Sequence, residues 1–504
     1  MMKNIVLTNE TAQVILGKVD AFRGDKNKLQ LKTGIRNMGD GLASQVTLVN
    51  GGMMAEIGFK TANVPDDYVA GSESYFTVNV NAGSFISYLK ALLPFNANIL
   101  IGYDEQSTLY MQVGSSARVS IPTFEEMDAL LPCDQSLADS IFKLETKKFM
   151  NALRIGSFTA SAAADSRGIT DRVVLRFTPE QTVVYSTDCM IMNKAWSEIA
   201  AQRNCPKPCL DFLNSKLEHL AESDKNDFQK KFEAAKADPQ QLVGFAESQG
   251  YQPACPWNIA LPAASVAVLK TLFGNTESLN ILITPNHMVL NSGNVRATFS
   301  LAGKASEVYE KTVDPWEKTT WTGQAVVDKE ELANSLAVVA LSASQLGGKK
   351  ASVAFHTSFQ QGKMVLTDRL NNKVALPLVH STGDLSKVSI YLDVEKVLNV
   401  LGKLANGNVV LRYFVSSNGR MYPVSISNGD VEGKGTISYT YILPVNIKKE
   451  EEEKKKEETS ADSKANDGQT KQEQASVKKE ATTSTTSEED GIPTLGDAGI
   501  DDVM

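Results

Sequence analysis

Trp257–Leu301 reads WNIALPAASVAVLKTLFGNTESLNILITPNHMVLNSGNVRATFSL. Apolar residues alternate in WNIAL, switch to a spacing of three and four through AASVAVLKTLF, and return to alternation in LNILIT, HMVLN and VRATFSL. The spacing predicts a strand, a short helix and three further strands, with turns rich in Asn, Gly and Thr between them. The same order occurs twice more. One copy is YFTVNVNAGSFISYLKALLPFNANILIGYDEQSTLYMQVGSSARVSIPT, Tyr75 to Thr123; the other runs from VSIYLDVEKVLNVLGKLANGNVVLRYF at Val388 on to YTYILPV at Val445. Leu89, Leu269 and Leu401 take matching places in the three helices, 180 and 132 residues apart. The surplus in the first interval falls on a stretch that departs from the pattern. The expected architecture is α+β: three tandem copies of one unit, each with helices backed by β-ladders.

A chain of 504 residues is long enough to divide into several cores. Its formal charge of -8 is unevenly placed, because Lys448–Met504 holds 9 Lys against 16 Asp and Glu. The rest is close to neutral, so contact with nucleic acid must come from a local arrangement of Lys and Arg. Five cysteines do not make a disulfide framework, and no leader-like segment or run of eighteen apolar residues stands out. An intracellular, cytoplasmic location is therefore expected. Cys205, Cys209 and Cys255 lack the paired spacing of a zinc site and read as unligated thiols, so no metal or cofactor is expected. No Walker loop, GxSxG or HExxH occurs, and His219, His287, His356 and His380 are scattered, which argues against an enzyme.

Taken in order, TNETAQVILGKVDAF predicts a helix capped by Thr8 or Asn9, with Val14, Ile15, Val19 and Phe22 on its apolar side and Lys18 and Arg23 opposite. SQVTLV and MMAEIGF are β-rich but have no clear bounds. The first domain is expected over 1–134 and the second over 140–318. In the second, Phe149, Ala152 and Leu153 form the apolar side of a helix whose wet side carries Lys147, Lys148 and Arg154; RVVLRFTPEQTVVYSTDCMIMNKAW reads as two strands joined at TPEQ. Residues 197–252 interrupt the repeat, and LDFLNSKLEHLAESDKNDFQKKFEAAKA predicts a helical hairpin broken around Asp224 to Asp227. The third domain is expected over 322–447, with Asp328 and Glu331 spaced as a capping box. Residues 448–504 are poor in large apolar side chains until IPTLGDAGIDDVM, so an acidic, disordered tail is expected. Its last residues read either as a short docking peptide or as a solubilising end.

The threefold unit, SSARVSIPTFEEMDALLP, VVYSTDCMIMNKAW and the closing SYTYILPVNI together resemble the bacterial DNA polymerase III beta subunit, the processivity sliding clamp. The resemblance covers most of residues 1–447. That family carries a Thr-Asp-Gly-His-Arg-Leu run, matched here by Thr187, Asp188, Cys189, Met190, Ile191 and Met192, which keep only the leading pair. It ends in a Met-Pro-Met-Arg-Leu-like segment, matched by Leu443, Pro444, Val445, Asn446 and Ile447, without the Arg.

The resemblance implies a head-to-tail homodimer that closes around duplex DNA, with helices inside and sheets outside, and no reaction to catalyse. DNA would be held without sequence preference by Lys18, Arg23, Lys90, Lys147, Lys148, Arg154, Lys270, Lys349, Lys350, Lys396 and Lys403. It also implies an apolar cleft between the second and third domains for peptides of a polymerase, a clamp loader and repair proteins. Ile169, Thr170, Thr187, Met190, Met192, Leu443, Pro444 and Val445 would line it. The departures from the family pattern fit a phage or mobile-element origin. The other class open to such a chain is a self-assembling structural or virion protein, which would form open-ended assemblies in place of a closed dimer.

Overall fold

The computed structural model describes residues 3–23, 27–104, 108–115, 117–124, 140–160, 170–177, 181–189, 191–197, 202–203, 207–251, 258–302, 321–344, 354–414, 423–428 and 437–442. They belong to two compact units, one made mainly of Met1–Asp188 and Asn193–Ser306, the other mainly of Glu307–Asp430.

One module, a strand, a helix and three strands, recurs through both units. The first unit opens with β1 (Lys3–Leu7), α1 (Asn9–Val19), β2 (Lys28–Asn37), β3 (Leu42–Asn50) and β4 (Met53–Lys60). The second module is β5 (Phe76–Asn81), α2 (Ala82–Leu92), β6 (Ile99–Asp104), β7 (Thr108–Val113) and β8 (Ala117–Phe124). The third is β9 (Ser140–Glu145), α3 (Thr146–Gly156), β10 (Arg172–Phe177), β11 (Thr182–Thr187) and β12 (Ile191–Ser197). An insertion follows, with β13 (Gln202–Arg203), α4 (Lys207–His219), α5 (Glu222–Lys236) and α6 (Pro239–Ser248). The fourth module is β14 (Asn258–Pro262), α7 (Ala263–Phe273), β15 (Ser278–Ile283), β16 (His287–Ser292) and β17 (Val295–Ser300). The second unit repeats the order with β18 (Gly323–Asp328), α8 (Lys329–Ser344), β19 (Ala354–Gln360), β20 (Lys363–Thr367) and β21 (Lys373–Pro377), then a short β22 (His380–Gly383). It ends in β23 (Ile390–Asp393), α9 (Val394–Leu401), β24 (Asn408–Tyr413), β25 (Val424–Asn428) and β26 (Ile437–Ile442). The three copies read from the sequence are the second, fourth and sixth modules. The odd-numbered modules share their order.

Modules interlock in pairs. β1 runs antiparallel to β6 with Ile5 opposite Ile101, while β5 runs antiparallel to β2 with Val78 opposite Leu31. The same exchange joins β9 to β15 and β14 to β10, and again β18 to β24 and β23 to β19. A single module therefore leaves its first strand unpaired, and two are needed to satisfy the backbone N–H and C=O groups of both. In the first unit the strands continue as one antiparallel sheet in the order β1-β6-β7-β8-β5-β2-β3-β4-β17-β16-β15-β9-β13. The join between β4 and β17 sets Ala55 opposite Ala297 and is extended by Gly58 N–H donating to Asn294 O at 2.8 Å.

Helix ends follow from local chemistry. Thr8 Oγ1 accepts from Thr11 N–H at 3.0 Å, Asn81 Oδ1 from Ser84 N–H at 2.8 Å, Asp328 Oδ1 from Glu331 N–H at 2.9 Å and Asp393 Oδ1 from Lys396 N–H at 3.1 Å. Each satisfies a donor that the helix leaves free in its first turn, a contribution of about 1 kcal/mol. Ala12, Ile15, Val19 and Phe22 face the core of the first module, but Val14 is 50 % exposed, because its place in the turn falls outside the buried stripe. Leu89, Leu269 and Leu401 are buried as their matching positions require. Gly34, at φ 68°, sits where β2 shifts register, and a Cβ there would stand 2.4 Å from Tyr75 Cβ. Only glycine meets both demands.

The insertion is a three-helix cluster, not a hairpin. Its break lies at Leu220 and Ala221, ahead of the predicted place, and Asp224 falls in the first turn of α5, where a carboxylate suits the helix dipole. Cys209, Leu213, Phe228, Phe232, Leu242, Val243 and Ala246 make a small core of their own. β13 ties the cluster to the sheet by pairing with β9.

Candidate nucleic-acid interface

α1 packs on α2 and α7, and α7 packs on α3, so four helices of the first unit form one continuous layer. One side of that layer is apolar and closes the core: Ile15, Phe85, Leu89, Phe149, Leu153, Leu269 and Phe273 are all within 1 % of complete burial. Phe149 of α3 meets Phe177 of β10 with ring centroids 6.4 Å apart. The opposite side faces solvent.

Charge is concentrated on this layer. Residues 9–23 together with α2, α3 and α7 contain seven Lys or Arg and two Asp or Glu, in a chain with 51 basic and 59 acidic residues. On α3, Lys147, Lys148 and Arg154 are exposed and Asn151 is half-buried between them. Lys148 Nζ lies 2.9 Å from Glu145 Oε2, and Arg154 Nη2 donates to Asn151 Oδ1 at 3.1 Å. On the side that faces away from the core, α7 offers Ala264, Ala267 and Thr271, small residues that let another molecule come close, with Lys270 half-buried beside them. Arg23 is exposed, and exposed Lys90 of α2 lies 3.8 Å from Asp20 Oδ2. α8 and α9 of the second unit differ, with two basic residues against three acidic.

Lys18 has a different task from its neighbours. Its Nζ donates to the carbonyl oxygen of Leu272 at the C-terminal end of α7, where a cation also suits the helix dipole. Burial pushes its ammonium below the usual lysine range. It thereby braces α1 against α7 on the helix side, opposite the β4–β17 join on the sheet side. Nearby, Gln13, Leu16, Gly17, Asp20, Ala21, Lys90, Leu93 and Thr271 line a pocket of about 410 Å³ between α1, α2 and α7.

Lys396 and Lys403 are half-exposed on and just after α9; Lys349 and Lys350 lie outside the described residues. Of the residues expected at a peptide cleft, Thr170, Thr187 and Met192 are buried, while Ile169, Met190, Leu443, Pro444 and Val445 lie outside the described residues. The expected zinc-free thiols include Cys209, buried in the insertion core, and Cys205 and Cys255, also outside the described residues. Sequence reading missed Asn151 and Thr271, although Asn151 stands four residues after Lys147 and three before Arg154, on the same helix face.

One strained backbone position lies in the stretch read as a peptide site, at Cys189. It follows Thr187 and Asp188 at the turn between β11 and β12 and adopts φ 71°, the left-handed conformation that glycine favours. A non-glycine residue is held there in a conformation that L side chains seldom adopt.

No family model and no curated protein matches the sequence. Solved structures do match. The DNA polymerase III beta subunit of Thermotoga maritima aligns with 88 % of this chain and 100 % of its own, at 14 % identity and TM-score 0.62. The fold is that of a DNA sliding clamp. The Bacillus subtilis sliding clamp matches over 88 % of this chain and 99 % of its own, at 15 % identity and TM-score 0.59. The Helicobacter pylori beta clamp bound to a DNA ligase peptide matches over the same shares, at 12 % identity and TM-score 0.59. The superposition establishes the clamp fold, and identity this low leaves the duties of individual residues to the geometry above.

Proposed function

We propose that this protein is a non-enzymatic DNA sliding clamp, a homodimer that encircles duplex DNA and tethers a replicative polymerase and other replication or repair proteins. The observation that carries the reading is the basic, solvent-facing side of the four-helix layer, on a clamp fold and in a chain with net negative charge. Lys90, Lys147, Lys148, Arg154, Lys270 and Arg23 meet phosphates without reading bases, which suits a tether that must slide. Lys18 braces the layer from within. Short peptides of those proteins are the other ligands of this reading. A loader and a polymerase are the expected visitors, in a DNA-associated, cytoplasmic setting.

Support for a closed dimer comes from the strands that end modules. β4 and β17 each close a module, and they join antiparallel. β8 and β21 close modules too. β21 is the end strand of its sheet, and β8 meets β5 only at Thr123 and Phe124, so among the described residues Ala117–Pro122 is paired on one side. Pairing β8 of one copy with β21 of the other would cover both edges; because the two surfaces differ the contact is head to tail, and it gives a closed ring where the rotation between copies returns to the start. Sedimentation of the purified chain is expected to give one species at twice 54.7 kDa over a wide concentration range. An open-ended ladder of sizes would favour the structural-protein class, and a stable monomer would remove the ring.

A further inference from the structure

The second unit presents an apolar helix face of its own. α8 buries Leu332, Leu336 and Val339, while Val338 is 56 % and Leu341 67 % exposed, with exposed Ala337 between the two rows. Val338 and Leu341 stand three residues apart and so share one side of the helix. Glu330 and Glu331 occupy its first turn, roughly 10 Å away at 1.5 Å per residue. The exposed side is thus acidic at its beginning and apolar near its end. α9, which packs against α8, carries half-exposed Lys396.

The chain's own last residues fit this face. Between Lys448 and Glu489 the sequence holds a single large aliphatic residue, Val477, whereas Ile492–Met504 regains Ile492, Leu495, Ile500, Val503 and Met504. Ile500, Val503 and Met504 have the spacing of one helix face, and Asp497, Asp501 and Asp502 lie among them. Those carboxylates are repelled by Glu330 and Glu331 and attracted by Lys396, which sets the segment toward the C-terminal half of α8. Reach is sufficient. Ile442 ends β26, and β26, β25, β24 and β18 are neighbours in one sheet, so Ile442 lies about 14 Å from the strand that leads into α8. The 49 residues from Leu443 to Gly491 can span that distance, since an extended chain covers about 3.3 Å per residue. Such a tether gives a weak ligand an effective concentration in the millimolar range.

We propose that Ile492–Met504 docks in cis on the Ala337–Leu341 face of α8. If the clamp reading holds, this face belongs to a helix that lines the hole, and the docked acidic segment occupies ground that duplex DNA would take. Docking itself needs no DNA and stands apart from that reading.

The test uses the full chain, free of DNA, with photoreactive benzoylphenylalanine in place of Val503 and cross-linked peptides mapped by mass spectrometry in a mixture of light and heavy isotope-labelled chains. Cross-links within one chain to the peptide that contains Val338 and Leu341 are expected, and Val338→Glu should lower their yield about tenfold, the effect of setting a carboxylate against an apolar contact. Because Val338 is exposed, the substitution leaves the fold intact, which circular dichroism checks. Cross-links to another part of the molecule, cross-links only between light and heavy chains, or a yield unchanged by Val338→Glu would each overturn the proposal. A dimer that survives while the cross-link fails would leave the clamp reading standing and this inference refuted.

Discussion

Replacing Lys147, Lys148 and Arg154 together by alanine is expected to flatten the salt dependence of duplex-DNA binding, lowering the slope of log K against log salt by about 2.7. Each phosphate contact on duplex DNA contributes about 0.9 to that slope through counterion release, and the three side chains lie exposed on one helix. Affinity should fall to the same extent on unrelated sequences, because phosphate contacts carry no base readout. Lys18→Ala is the informative contrast. Its ammonium is engaged by Leu272 O, so the substitution should cost about 1 kcal/mol of stability and leave the slope unchanged. Measurement of binding by fluorescence anisotropy between 50 and 200 mM salt decides the matter, in the range where such contacts show most. An unchanged slope in the triple variant would take the basic layer out of the interface.

Phe149→Ala is expected to destabilise the first unit by about 3–5 kcal/mol, the range for removing a fully buried aromatic ring. Phe149 is completely buried and packs against Phe177, which is buried too. The loss reaches function by a physical route, since the same helix turns Lys147, Lys148 and Arg154 outward while Phe149, Ala152 and Leu153 anchor it to the sheet. Urea unfolding should show the unit's transition at lower denaturant, and DNA binding should fall with it. A change under 1 kcal/mol would mean that this helix is not held by the core as described.

Much of the fold was legible in the even-numbered modules because each is compact in sequence: Leu89, Leu269 and Leu401 sit in short amphipathic helices flanked by well-bounded strands. The odd-numbered modules hid behind a register shift at Lys32 to Arg36, glycine-flanked strands and the long insertion. Their first strands pair with partners in the following module, as β1 does with β6, and no local pattern reports a pairing across so much chain. The exposed faces of α3 could be read from spacing alone. Lys18 could not, because its acceptor lies 254 residues away and a helical wheel shows only which side a lysine leaves from. Val14 fails for a related reason: an apolar residue at the edge of the stripe is free to face solvent. At Cys189 nothing in the side chain announces the left-handed backbone, which only the angle itself shows.

Retention on nicked circular duplex DNA, before and after the circle is cut, tests encirclement most directly, with a compatible loader supplied and the protein first shown to be a dimer. Retention at moderate salt on the closed circle, followed by rapid release once the circle is linear, is the predicted result, since a ring held by topology slides off a free end. Equal retention on circular and linear DNA would contradict encirclement and reduce the basic helix layer to an ordinary binding surface.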